Sequence, residues 1–180
     1  MFVKFFKDRS IRKFIEKILE SRTRYSDNNK IQTVGIILNL SEFKDFEKLK
    51  DFLTRFGINE NKIRFITFLS ENDTKLNHWD SYFGSSDFGW NGDIKNLDLQ
   101  EFIETEFDTL ISYYQKDNLY LNYATACSRA NFKIGLSNFN QKLNDFIINI
   151  NPRFTDIFAK ELKKYLLGLN KISNWYFNPF

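Results

Sequence analysis

The chain has 180 residues and a mass of 21.6 kDa, the size of one domain with a short appendage. At 42% hydrophobic and 27% charged residues it is ordinary globular material, and no apolar run approaches the roughly 18–20 residues of a membrane span. A single cysteine and a single histidine exclude a disulfide scaffold and a multi-histidine metal site. The net charge of +3 is uneven: residues 1–30 hold nine bases and four acids, a net +5, so the remaining 150 residues carry −2.

The basic first segment reads as a helix. Phe5, Phe6, Ile11, Phe14, Ile15, Ile18 and Leu19 recur at three- and four-residue steps, which predicts an apolar face. That face is expected to dock on the body, with Lys4, Lys7, Arg12, Lys13 and Lys17 left exposed. The start is charged from Lys4 and lacks the apolar core of a secretory signal, so a cytoplasmic location is the expectation.

Residues 31–40, IQTVGIILNL, are apolar on both parities, as in a strand buried on both faces. Ser41 is the expected N-cap of a helix carrying Phe43, Phe46, Leu49, Phe52, Leu53 and Phe56, and Gly57 suits the residue after its end. KIRFITFLS, residues 62–70, is a second buried strand. Residues 71–96 carry no strong period and read as a long loop, with a short strand expected near Phe88–Trp90.

A helix is expected over 97–106 and a third strand, FDTLISYY, over 107–114. Asp117 or Asn118 should cap a helix over 119–130. NFKIGLS (131–137) and NDFIINI (144–150) are the fourth and fifth strands. A last helix opens near Pro152 and Thr155, with Ile157, Phe158, Leu162, Tyr165, Leu166 and Leu169 on its apolar face. The division is therefore an arm at 1–30, an α/β domain at 31–171 and an aromatic tail at 172–180.

Alternating strands and helices predict a doubly wound, mostly parallel sheet of about five strands. Right-handed crossovers place strands 62–70 and 107–114 on opposite sides of strand 33–40, with a topological switch between 33–40 and 107–114. Ligands of open α/β sheets bind at the carboxyl ends of such strands. The candidate crevice is lined by Asn39, Ser41, Ser112, Tyr113, Tyr114 and Asp117. Trp90 is added as a candidate ligand contact from the long loop.

TVGIILN, FGWNGDIKN, the stretch from FDTLISYY to FKIGLS, NDFIINI and ELKKYL together resemble a small family of cytoplasmic bacterial proteins of unknown function. The resemblance covers about residues 30–170 and implies a Rossmann-like fold, without an activity or catalytic residues. Residues 107–137 also resemble, locally, the amino-terminal half of heptosyltransferase-like glycosyltransferases. The chain is about half the length of two such domains, and no catalytic residue carries over.

The chemistry-bearing residues read mostly as structure. No glycine-rich phosphate loop follows Gly35, which is expected to be a close-packing position. His78 lies in a polar loop with no nucleophile arranged beside it. Cys127 lies among small residues in a helix, and Arg129, two residues on, points elsewhere. Glu104, Glu106 and Asp108 fit a solvated helix end. No cofactor and no metal is expected.

The reading that follows is a non-catalytic binding or interaction module. A protein partner would meet it through the aromatic loop 83–92 or the tail 175–180. A small transferase-like enzyme at the carboxyl edge of the sheet is one alternative. An RNA-associated protein using Lys4, Lys7, Arg12, Lys13 and Lys17 is the other; the same bases are equally candidates for an anionic membrane surface if the Phe-rich face is free.

Overall fold

The computed structural model describes residues 2–23, 29–71, 73, 81–90, 92–136 and 139–173, with the side chains of 2–4 left undescribed. His78, Asn91 and the tail 175–180 lie outside the described residues.

The chain runs α1 (Phe2–Ser21), β1 (Val34–Asn39), α2 (Phe46–Arg55), β2 (Ile63–Phe68), β3 (Tyr82–Phe83), α3 (Leu97–Glu104), β4 (Thr109–Tyr113), α4 (Leu119–Cys127), β5 (Phe132–Gly135), β6 (Phe146–Ile147) and α5 (Thr155–Gly168). The six strands form one sheet in the order β3-β2-β1-β4-β5-β6. Every strand pair is parallel. This is the strand order of Rossmann-like folds, with the switch point between β1 and β4.

All six residues of β1 are buried, because helices cover both faces of the sheet. Side chains alternate between those faces. Ile36, Leu38, Ile111, Tyr113 and Ile134 pack with Leu49, Leu53, Phe158 and Leu162 of α2 and α5. Ile37, Ile66 and Leu110 pack with Ile11, Leu99, Leu121 and Ala124 of α1, α3 and α4. Gly35 sits where a Cβ would come within 2.7 Å of the Phe107 ring, so only a bare backbone fits there. Gly57, at φ 90°, adopts the left-handed conformation that ends α2.

Several expectations are corrected. The sheet has six strands because Tyr82–Phe83 adds beside β2. The strand expected near Phe88–Trp90 is a lone antiparallel bridge between Phe88 and Ile94. The N-cap of α2 is Asp45, whose side chain accepts from Lys48 N; Ser41 lies in the preceding turn and donates to Asn39 instead. On α5 and its C-cap, Phe158, Leu162 and Leu166 are buried, whereas Ile157, Tyr165 and Leu169, expected on the same face, are exposed.

The largest correction concerns α1. It is docked, packing chiefly on α4 through Ile11 and Ile15, with Ile18 and Leu19 against the same core. Phe14 stacks on Tyr123 at a centroid distance of 5.5 Å yet stays 40% exposed. Phe5 and Phe6 do not join this face; they are 62% and 58% exposed. The geometry explains it: at about 100° per residue, Phe5 and Phe6 lie roughly 120–140° around the helix from Ile11. The buried ridge is instead Lys7, Ile11, Ile15, Ile18 and Arg22. Lys7 is consequently half-buried, contrary to expectation, and its Nζ donates to the Ser85 carbonyl at 2.9 Å. Arg12, Lys13 and Lys17 are exposed.

Candidate functional site

At the switch point the carboxyl ends of β1 and β4 part. The turn after β1 curls so that Ser41 donates through both N and Oγ to Asn39 Oδ1. Asn39 Nδ2 in turn donates to Glu42 Oε1 at 2.8 Å. That places the Glu42 carboxylate over the start of the β4–α4 turn. There its Oε2 accepts from Gln115 N at 2.9 Å and its Oε1 from Lys116 N at 3.2 Å. Backbone N–H groups at this position of a Rossmann-like sheet are suited to an anionic ligand. Here the protein's own carboxylate occupies them.

Tyr113 and Tyr114 are adjacent in β4 and its exit, so they leave on opposite faces of the sheet. Tyr113 points to the α5 side, where its hydroxyl donates to the Pro152 carbonyl at 2.7 Å; burial pushes its pKa up to about 12. Tyr114 points to the α4 side. Its hydroxyl lies 2.8 Å from Thr125 Oγ1, which also contacts Ser112 Oγ at 3.1 Å. Tyr114 also donates to Asn122 Oδ1, and Asn122 Nδ2 donates to Asp117 at 2.7 Å. A chain of hydroxyls and amides thus runs from Ser112, inside the sheet, to Asp117 at the surface. Burial raises the Tyr114 pKa strongly, so its hydroxyl keeps its proton.

A cavity of about 10 Å³, the size of one water, opens beside this chain and is lined by Ser112, Tyr114, Asn122 and Asn144. Asn144 is 5% exposed, and its Oδ1 has no hydrogen-bond partner among the described residues. Of the expected crevice residues, the structure joins Asn39 to Ser41 and links Tyr114 to Asp117. It sends Tyr113 to the other face. Trp90, 54% exposed, sits after the edge strand β3, two strands from β1.

A larger cavity, about 360 Å³, lies at the opposite, amino-terminal edge of β5. Arg22, Cys127, Ser128, Arg129 and Lys133 line it. Lys133 is 1% exposed, and its Nζ donates to the Thr125 and Ala126 carbonyls at 2.7 and 3.1 Å. It thereby satisfies two carbonyls that the end of α4 leaves open. Burial, aided by the Arg22 charge, lowers its pKa to about 7. Burial also raises the half-buried Cys127 thiol to about 11, which makes it a poor nucleophile. The arm closes over this edge through Arg22, which donates to Asp145 at 2.6 Å. The sequence signal for this cluster was a lysine inside the apolar strand run FKIG.

Of the acids expected on a solvated helix end, Glu104 and Glu106 are exposed, but Asp108 is half-buried: its Oδ2 accepts from Gln32 N, Thr33 N and Thr33 Oγ1, anchoring the entry to β1. Among the described residues no group of three or more His, Cys, Asp and Glu side chains could hold a metal ion, and no helix is long and apolar enough to cross a membrane.

Exposed large apolar side chains include Leu97, Phe139, Phe154, Ile157 and Leu169; on the outward side of α1 two such residues are adjacent and flanked by bases. Phe5 and Phe6 pack edge to face at 5.9 Å, with Arg9, Arg12, Lys13 and Lys17 exposed behind them. The Gly92 carbonyl accepts from Tyr123, the ring beneath Phe14.

Residues 7–169 match the family of unknown function DUF6913, and the chain belongs to that family. No curated protein and no solved structure matches it. The local similarity to heptosyltransferase-like glycosyltransferases therefore rests on the sequence pattern alone.

Proposed function

We propose that the protein is a non-catalytic interaction module of the bacterial cytoplasm that binds its partner through the outward side of α1. The carrying observation is a contrast between two surfaces. The switch-point N–H groups are taken by Glu42, whereas Phe5 and Phe6 stand exposed on a helix whose other side is already packed. Exposed aromatic side chains clustered at one end of a docked helix are energetically useful only when something covers them. The basic residues around them set the charge of that partner.

The test compares wild type with Phe5→Ser/Phe6→Ser in purification from native lysate, with and without nuclease treatment, with proteins, nucleic acids, lipids and metabolites identified by mass. Both side chains are exposed, so the variant keeps its fold. The reading expects loss of the bound material in the variant. A small metabolite retained equally by both proteins would support the transferase-like alternative and contradict this one. Loss of binding on nuclease treatment alone would support the RNA alternative.

A further inference from the structure

Resting on that reading, we propose that α1 docks the protein on an anionic lipid surface, with Phe5 and Phe6 entering between the headgroups and Arg9, Arg12 and Lys13 lying at headgroup level.

The arrangement is ordered along the helix axis rather than around it. The sequence up to residue 6, MFVKFF, is apolar apart from Lys4. The four exposed bases begin three residues behind Phe6. At 1.5 Å per residue, Arg9 to Lys13 lie roughly 4–11 Å behind the aromatic pair. That matches the approximately 5–10 Å depth to which interfacial helices bury their apolar groups. Because Ile11 and Ile15 are committed to the core, the helix cannot lie flat on its aliphatic side, and insertion is led by the aromatic end.

Charge selects the lipid. Between residues 5 and 13 the only acid, Asp8, is turned inward and accepts from the Tyr120 hydroxyl at 3.1 Å. The exposed acids Glu16 and Glu20 stand farther from the aromatic end than Arg9, Arg12 and Lys13. The bases are spread around the outward half of the helix, which suits a charged plane better than a groove.

The experiment is co-sedimentation of the full chain with phosphatidylcholine vesicles, with and without phosphatidylglycerol. The expected result is sedimentation only with phosphatidylglycerol, reversed by about 0.5 M salt. Phe5→Ser/Phe6→Ser should reduce it at least about tenfold. Arg9→Gln/Lys13→Gln should reduce it roughly fivefold per base. Equal melting temperatures confirm that the variants are folded. Absence of sedimentation with phosphatidylglycerol, or binding unchanged in the phenylalanine variant, overturns the proposal. If vesicles fail but the phenylalanine variant still loses a protein or RNA from lysate, the lipid inference falls and the α1 surface stands. If that variant changes neither, both fall.

Discussion

Glu42 Oε2 accepts the backbone N–H of Gln115 at 2.9 Å, so the turn after β1 is fastened across the switch point to the turn after β4. Glu42 also holds Lys116 N and is itself held by Asn39. Glu42→Ala leaves two backbone donors and the Asn39 amide without their acceptor. Hydrogen bonds to charged groups contribute about 1.5–3 kcal/mol, and a loss of that order is expected in urea unfolding. Glu42→Gln, which keeps one acceptor oxygen, should lose less.

Lys133 predicts a pH dependence. Its folded pKa, about 7, lies below the ordinary lysine value of about 10.4. Between those two values the unfolded chain holds the extra proton, so stability rises with pH. Below pH about 7 both states are protonated, and the full cost of the buried charge is present. Above about 10, Tyr113 and Tyr120, both raised to about 12 by burial, reverse the slope, because the unfolded chain ionises first. Stability measured from pH 6 to pH 8 should therefore climb, before the Cys127 thiol, raised to about 11 by burial, opposes it by ionising first in the unfolded chain, and Lys133→Met should flatten the climb. An unchanged slope in the variant would assign it elsewhere.

The two sides of α1 should respond in opposite ways. Ile11→Ala removes a side chain with no exposure from the packing on α4 and is expected to cost about 2–5 kcal/mol. Phe5→Ser and Phe6→Ser should each stay within about 0.5 kcal/mol of wild type. Thermal denaturation of the three variants checks the contrast.

These surfaces differ in how far the sequence exposes them. The strands were legible because runs such as VGIILN, buried at every position, have a single favourable environment, the interior of a parallel sheet. The switch point followed from the strand alternation, and Gly35 was readable as a close approach because no other residue suits it. Docking of α1 was readable from its three- and four-residue apolar steps. The orientation of Phe5 and Phe6 was not, because steps of five and six residues from Ile11 were counted into the same face. Glu42 escaped notice because an acid in a turn carries no periodic signal. Its role depends on a backbone seventy-three residues away. Tyr82–Phe83 was missed as a strand because two residues show no alternation.

Cys127 should react slowly in the folded protein. Its thiol is raised to about 11 by burial, so at pH 8 the reactive thiolate is roughly 200-fold scarcer than in an unfolded chain with a pKa near 8.5. Iodoacetamide labelling followed by mass, native against urea-unfolded, reads the ratio. Equal rates would contradict the assignment.

The most direct test of the central claim puts a photo-crosslinking benzoylphenylalanine at position 6, with controls at Asp51, exposed on α2, and at Asp117 beside the crevice. The sites are irradiated in living cells and the adducts identified by mass. The account predicts abundant adducts from position 6 and few from the two controls. Adducts concentrated at position 117, with position 6 silent, would contradict it and return the function to the carboxyl edge of the sheet.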